Sequence, residues 1–97
     1  MINYNLTEEK LISTFSGKID SAACTGFESE LMKKITEAGK PVVFDLAEVD
    51  YIAPSFLRIC IHVPKLIGNE NFSIINVSPH VKKVFKLVGF DKHLGIN

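Results

Sequence analysis

VVFDLAEVDYIAPSFLRICIHVPKLI, residues 42–67, decides the fold. An apolar run (Val42 to Phe44) heads into Asp45-Leu46, and a polar stretch (47–52) reads as a turn. Ala53-Pro54-Ser55-Phe56 then opens a segment that is apolar over most of a helical circumference. The pattern is a buried strand, a loop and the N-terminus of a buried helix over about 54–67. Proline suits the first helical position: its fixed φ is already helical, and the N–H it lacks would be unpaired there. Ser55 falls in the first turn, where free N–H groups and the helix dipole favour negative charge. Its hydroxyl can cap the helix or carry a phosphate. Phe56, Ile59, Cys60, Val63 and Ile67 form one stripe, widened by Leu57 and Ile61, with Arg58, His62 and Lys65 as the polar line. Pro64 should kink this helix or cut it short, because it cannot donate to the Cys60 carbonyl.

Outward from this stretch, 2–6 and 11–16 read as two short strands joined by a polar connection, an antiparallel hairpin. Asp20 or Ser21 caps a helix carrying Cys24, Phe27, Leu31 and Ile35 at helical spacing; Gly39 closes it and Pro41 stops it. Gly26 inside that helix costs stability, so a close approach of a neighbouring element is expected there. The run 41–46, apolar on both faces, suits a central parallel strand. Residues 72–77 form the last strand. Ser78 and Pro79 start a final helix with Val81, Val84, Phe85 and Val88 on its apolar side, ended by Gly89. Phe90 and Leu94 are expected to return to the core. The order β-β-α-β-α-β-α makes one small α/β domain over 1–97, with a mixed, mostly parallel sheet of about four strands and the N-terminal strand at an edge.

Composition narrows the function. The chain has 97 residues, 46% of them hydrophobic, with 11 basic and 11 acidic side chains and zero net charge. One core fits; strong general affinity for nucleic acid or anionic membrane does not. No apolar stretch reaches the roughly 18 residues that span a bilayer. The start MINYNLTEEK carries two acids and no apolar core, so a cytoplasmic location is expected. Cys24 and Cys60 read as buried thiols. His62, His80 and His93 lack ligand spacing and read as surface imidazoles, so no metal and no cofactor are expected. No phosphate-cradling glycine loop and no GxSxG elbow occur. Asp45 and Asp50 could pair at the end of the central strand, the one feature an enzyme reading can use; Asp45 as the cap of a turn is the simpler account. No catalytic residue is assigned.

DLAEVDYIAPSFLR, then a helix, a glycine turn, a strand and NVSPHVKKVFKLVGFDKHLGI, resembles the STAS domain of bacterial anti-sigma factor antagonists. Gly17-Lys18-Ile19-Asp20 looks like that family's opening to its first helix. The resemblance covers nearly the whole chain and implies a non-enzymatic regulatory protein. In that family the unphosphorylated antagonist binds an anti-sigma factor, often a serine kinase, and phosphorylation at the start of the helix after the central strand breaks the association. The family usually reads D-S-S-G or D-S-T-G at the seam. Here Ala53 stands for the aspartate, Pro54 for the first hydroxyl residue and Phe56 for the glycine, while Ser55 matches the second hydroxyl. The resemblance therefore implies Ser55 as phosphosite, a partner docked around the start of the 54–67 helix, and Asp20 as a carried-over position. Tyr51, Ser55, Phe56 and Arg58 are the contact candidates there, since exposed aromatic and arginine side chains usually carry interface energy. Ser55 as a plain first-turn residue and Asp20 as a plain helix cap stay open. So does a second function: STAS-like domains also serve as constitutive docking subunits of transport or signalling complexes, without phosphorylation.

Overall fold

In the computed structural model, residues 2–89 are described. The order is β1 (Ile2–Leu6), β2 (Leu11–Ile19), α1 (Ser21–Ala38), β3 (Val42–Ile52), α2 (Pro54–Ile67), a short 3-10 turn at Asn69–Asn71, β4 (Phe72–Ile75) and α3 (Pro79–Leu87). The strands form one sheet in the order β1-β2-β3-β4. β1 runs antiparallel to β2, and β2, β3 and β4 are parallel. Both β-α-β connections advance the same way across the sheet, and α1 packs on α2 over one face. The expected hairpin, parallel centre and edge position of β1 are all present.

That face carries the core. Register sets Leu11, Ser13 and Phe15 of β2 beside Val42 and Phe44 of β3, and those beside Phe72 and Ile74 of β4. Every one of these residues is buried. Phe15 is the hub of an aromatic cluster, with ring centroids 4.9 Å from Phe44, 5.2 Å from Phe56 and 5.7 Å from Phe27. Phe72 stands edge-on to Phe44 at 4.8 Å. Rings bury large apolar areas, and these tilted contacts match their quadrupoles. On the reverse face Val43 is buried, whereas Ile12, Thr14, Asp45, Ser73 and Ile75 are only half-buried.

β3 corrects the sequence reading. It does not stop at Leu46; residues 47–52, expected as a turn, continue the strand to Ile52. Pairing with β2, itself longer than the expected 11–16, slips in register between Thr14 and Ser16 and again between Gly17 and Lys18. Each slip places an extra residue in β3, so Leu46, Val49 and Ile52 are buried with two exposed residues between each. Bulges of this kind replace the alternation that marks a strand with a period of three. Gly17, at φ +83°, supplies the left-handed backbone at the second slip. Asp45 holds the first: its Oδ1 accepts from the Ala47 N–H at 3.0 Å and from Asn76 Nδ2 at 3.1 Å. The carboxylate pair is ruled out by the same continuity, since Asp45 and Asp50 lie five residues apart on one strand, roughly 15 Å.

Other differences are local. α2 runs through Pro64 for another turn instead of stopping, and Gly68 N–H donates to the Pro64 carbonyl at 2.8 Å. Gly26 is exposed, and a Cβ there would meet nothing within 4 Å, so no close approach explains it. Val88, expected on the apolar side of α3, is 54% exposed, while Val81 and Phe85 are buried. β4 ends at Ile75, where Asn76 turns the chain with φ 57°. Phe90, His93 and Leu94 lie outside the described residues. Among those residues, no helix is long and apolar enough to cross a membrane.

Candidate functional site

β2 and β3 end side by side: Ile19 pairs with Ile52, and the Ala53 N–H donates to the Ile19 carbonyl at 2.8 Å. Both strands lead straight into helices, so α1 and α2 start next to each other at the C-terminal end of the sheet. The two starts are built differently. α1 is capped by Asp20, whose Oδ1 accepts from the Ala23 N–H at 2.8 Å. α2 has Ala53 at the capping position and Pro54 at the first turn, so no side chain caps it. In its first turn Pro54 has no N–H and the Phe56 N–H donates to the Ala53 carbonyl at 2.9 Å, which leaves the Ser55 N–H; with no acidic residue in the turn, the helix dipole there favours an anion.

Ser55 sits in that turn. Its hydroxyl oxygen is shielded from solvent and makes no hydrogen bond of ordinary geometry among the described residues. It lies against the Cys24 thiol of α1, which burial pushes above its usual range and the nearby hydroxyl draws back. Glu28 and Asp20 also raise the thiol, and Arg58 lowers it. Cys60 lies behind it, fully buried, its thiol pushed up by burial first and by Cys24 second. Both thiols are free, as expected.

The expected contact residues divide. Ser55, Arg58 and Asp20 come together at the paired helix starts, with Arg58 and Asp20 exposed. Tyr51, 43% exposed, is at the same end but pairs with Lys18 and alternates with buried Ile52, so it faces the reverse side of the sheet. Phe56 is not a surface residue. Its exposure is 0%, and its ring packs on both Phe15, at 5.2 Å, and Phe44, stacked at 6.0 Å. Where a glycine would leave the turn open, this chain inserts a core side chain. Sequence reading missed Cys24 and Glu28 as members of the site; the spacing Asp20, Cys24, Glu28, one turn apart each time, was the signal. His62 and His80 are exposed.

The STAS domain family model matches residues 1–97. A protein described as a candidate anti-sigma factor antagonist, BtrV of Bordetella bronchiseptica, is 32% identical over 82 residues, covering 82% of this chain and 71% of that protein. Among solved structures, an anti-sigma factor antagonist from Mycobacterium paratuberculosis superposes with a TM-score of 0.87 at 20% identity, over 99% of this chain and 83% of that one. The Bacillus cell-fate determinant SpoIIAA in its phosphorylated form gives 0.73 at 14% identity, over 100% and 91%. Matched along its whole length, with the element order derived above, the chain belongs to the STAS domain family.

Proposed function

We propose that this protein is a regulatory binding domain of the anti-sigma factor antagonist type, without enzymatic activity. It docks an anti-sigma factor of the serine-kinase kind at the paired starts of α1 and α2. Ser55 is the phosphate acceptor that ends the association. The observation that carries this reading is Ser55 in an uncapped first turn of α2, beside exposed Arg58 and Asp20. The relatives support it: one is described as an anti-sigma factor antagonist and another was solved phosphorylated.

The physics is coherent. A phosphate adds about −1.5 to −2 charge at pH 7. On Ser55 it meets the α2 dipole and Arg58, which favour it, and Asp20 and Glu28, which oppose it. The fold tolerates the group, while a partner docked over it meets new charge and bulk. Phosphorylation first requires Ser55 to turn its hydroxyl away from Cys24 into solvent.

That shielded hydroxyl, with Phe56 filling the place of glycine, favours a second reading. In it the domain is a constitutive docking subunit of a transport or signalling complex, and Ser55 is never modified. The two separate on incubation with magnesium-ATP and a serine-kinase anti-sigma factor from the protein's own source, followed by mass-spectrometric mapping. One phosphate at Ser55, lost in Ser55→Ala, is the expected result. An unmodified Ser55 in a protein that still forms the complex would replace the switch with the constitutive reading.

A further inference from the structure

Among the described residues β1 pairs with β2 alone, which leaves its outer edge open. Sheet edges in soluble proteins are normally protected by charge, proline, bulges or shortness. β4, the other edge, has only four residues. β1, at five residues hardly longer, has no charge, proline or bulge: Ile2-Asn3-Tyr4-Asn5-Leu6 is uncharged, lacks proline and glycine, and pairs with β2 in unbroken register. Leu6 is 58% exposed.

The direction of the free backbone groups follows from the hairpin. The Thr7 N–H donates to the Lys10 carbonyl at 2.9 Å. In an antiparallel ladder hydrogen-bonded pairs alternate with non-bonded ones, so Asn5 and Asn3 also turn their backbone groups inward to β2. Ile2, Tyr4 and Leu6 therefore direct theirs to the open edge.

Those three residues read the same in both directions, as apolar, aromatic, apolar, with an asparagine between each. We propose that β1 pairs antiparallel with β1 of a second copy of this chain, about a two-fold axis at Tyr4, making one continuous sheet. Tyr4 meets Tyr4 and Ile2 meets Leu6, each pair exchanging N–H···O=C bonds, and Asn3 faces Asn5 on the reverse side. Aromatic and apolar cross-strand pairs of this kind are favourable. No like charges meet along the strand itself. Above it, α1 carries Glu30, Lys34 and Glu37 at successive turns, and Lys34 Nζ sits 5.0 Å from the Tyr4 ring centre. The axis therefore brings the Lys34 of both copies near it, each flanked on its own helix by Glu30 and Glu37. Beside the strand, a cavity of about 290 Å³ lined by Tyr4, Leu6, Leu11, Lys34, Glu37 and Ala38 gives the facing apolar side chains room to settle. The α2 start lies away from this edge, so a dimer presents two docking sites.

A five-residue pairing buries less than the roughly 1,200–2,000 Å² of stable interfaces, so the dimer is weak and depends on concentration. Sedimentation equilibrium of the full chain, from about 10 μM to 1 mM, tests this. The average mass should rise from one chain toward two. Leu6→Lys should weaken association at least tenfold with an unchanged thermal melt, and Leu66→Lys on α2 should leave it unaltered. In the wild type, exchange of the Tyr4 and Leu6 amides should slow with concentration, while Asn3 and Asn5, already bonded to β2, stay constant. A single-chain mass throughout overturns the proposal. So does a dimer that Leu66→Lys disrupts while Tyr4 and Leu6 exchange unchanged, which would place the contact on α2.

Discussion

Phe56 shows what one position can hide. Its place at the head of the stripe Phe56, Ile59, Cys60, Val63 already marked it as core, and the burial of the whole stripe agrees. Reading it as a contact rested on its being an aromatic at the docking seam, where an exposed ring would carry interface energy, and this ring is not exposed. Phe56→Ala should cost about 3–5 kcal/mol in denaturant unfolding, the range for removing a ring from a packed core. A cost under 1 kcal/mol would mean the ring is not part of the cluster. Ser13 makes the opposite case: its side chain is fully buried, its hydroxyl has no hydrogen-bond partner among the described residues, and Phe44 is its β3 partner. A buried, unmatched hydroxyl destabilises, so Ser13→Ala should raise stability by up to about 1 kcal/mol, measured the same way. Tyr4 brings in pH. Burial first, then the Glu30 carboxylate, pushes its hydroxyl from 10.0 up to about 12. A raised value means the folded state holds the proton longer, so this contribution is complete below pH 10 and is lost between about 10 and 12. Tyr4→Phe should flatten that part of the stability profile relative to wild type; parallel profiles would contradict it. Ser55, Asp20 and Arg58 were legible as neighbours because a helix start exposes its first turn. The shielded Ser55 hydroxyl was not, since a side chain's rotamer depends on what α1 brings opposite it.

Elements were legible where their period was clean and obscured where it was broken. α1, α2 and α3 announced themselves through caps, proline at first positions and apolar stripes. β3 beyond Leu46 did not, because two register slips turn alternation into an exposed-exposed-buried repeat that looks like a loop. Two glycines separate the kinds of reason a glycine has. Gly26 is exposed in α1 with open space around it, so Gly26→Ala should stabilise by about 0.5–1 kcal/mol through helix propensity. Gly17 also has open space but a φ of +83°, so Gly17→Val should destabilise by about 1–2 kcal/mol. Thermal melts of the two variants should move in opposite directions; movement in the same direction would refute the assignment of the second slip to Gly17. Asp20 also has two uses that substitution can part. Asp20→Asn keeps an acceptor for the Ala23 N–H and removes only the charge, whereas Asp20→Ala removes both.

At the scale of the molecule, connection rules carried the topology. A hairpin followed by two helix-linked parallel strands leaves few arrangements, and the sheet order β1-β2-β3-β4 is the simplest of them. That order brings the starts of α1 and α2 together at one end of the domain, where the proposed docking site lies. Nothing in the chain's composition names that partner, because an interface of ordinary polarity leaves no compositional mark. The edge formed by β1 lies apart from this end, so self-association and partner docking are separable by substitution. The most direct test is a calorimetric titration of a serine-kinase anti-sigma factor from the same source with wild type, Arg58→Glu and Ser55→Glu. The expected result is tight wild-type binding and at least a tenfold loss in both variants, with their melting temperatures held. Undiminished affinity in both variants would contradict docking at the start of α2.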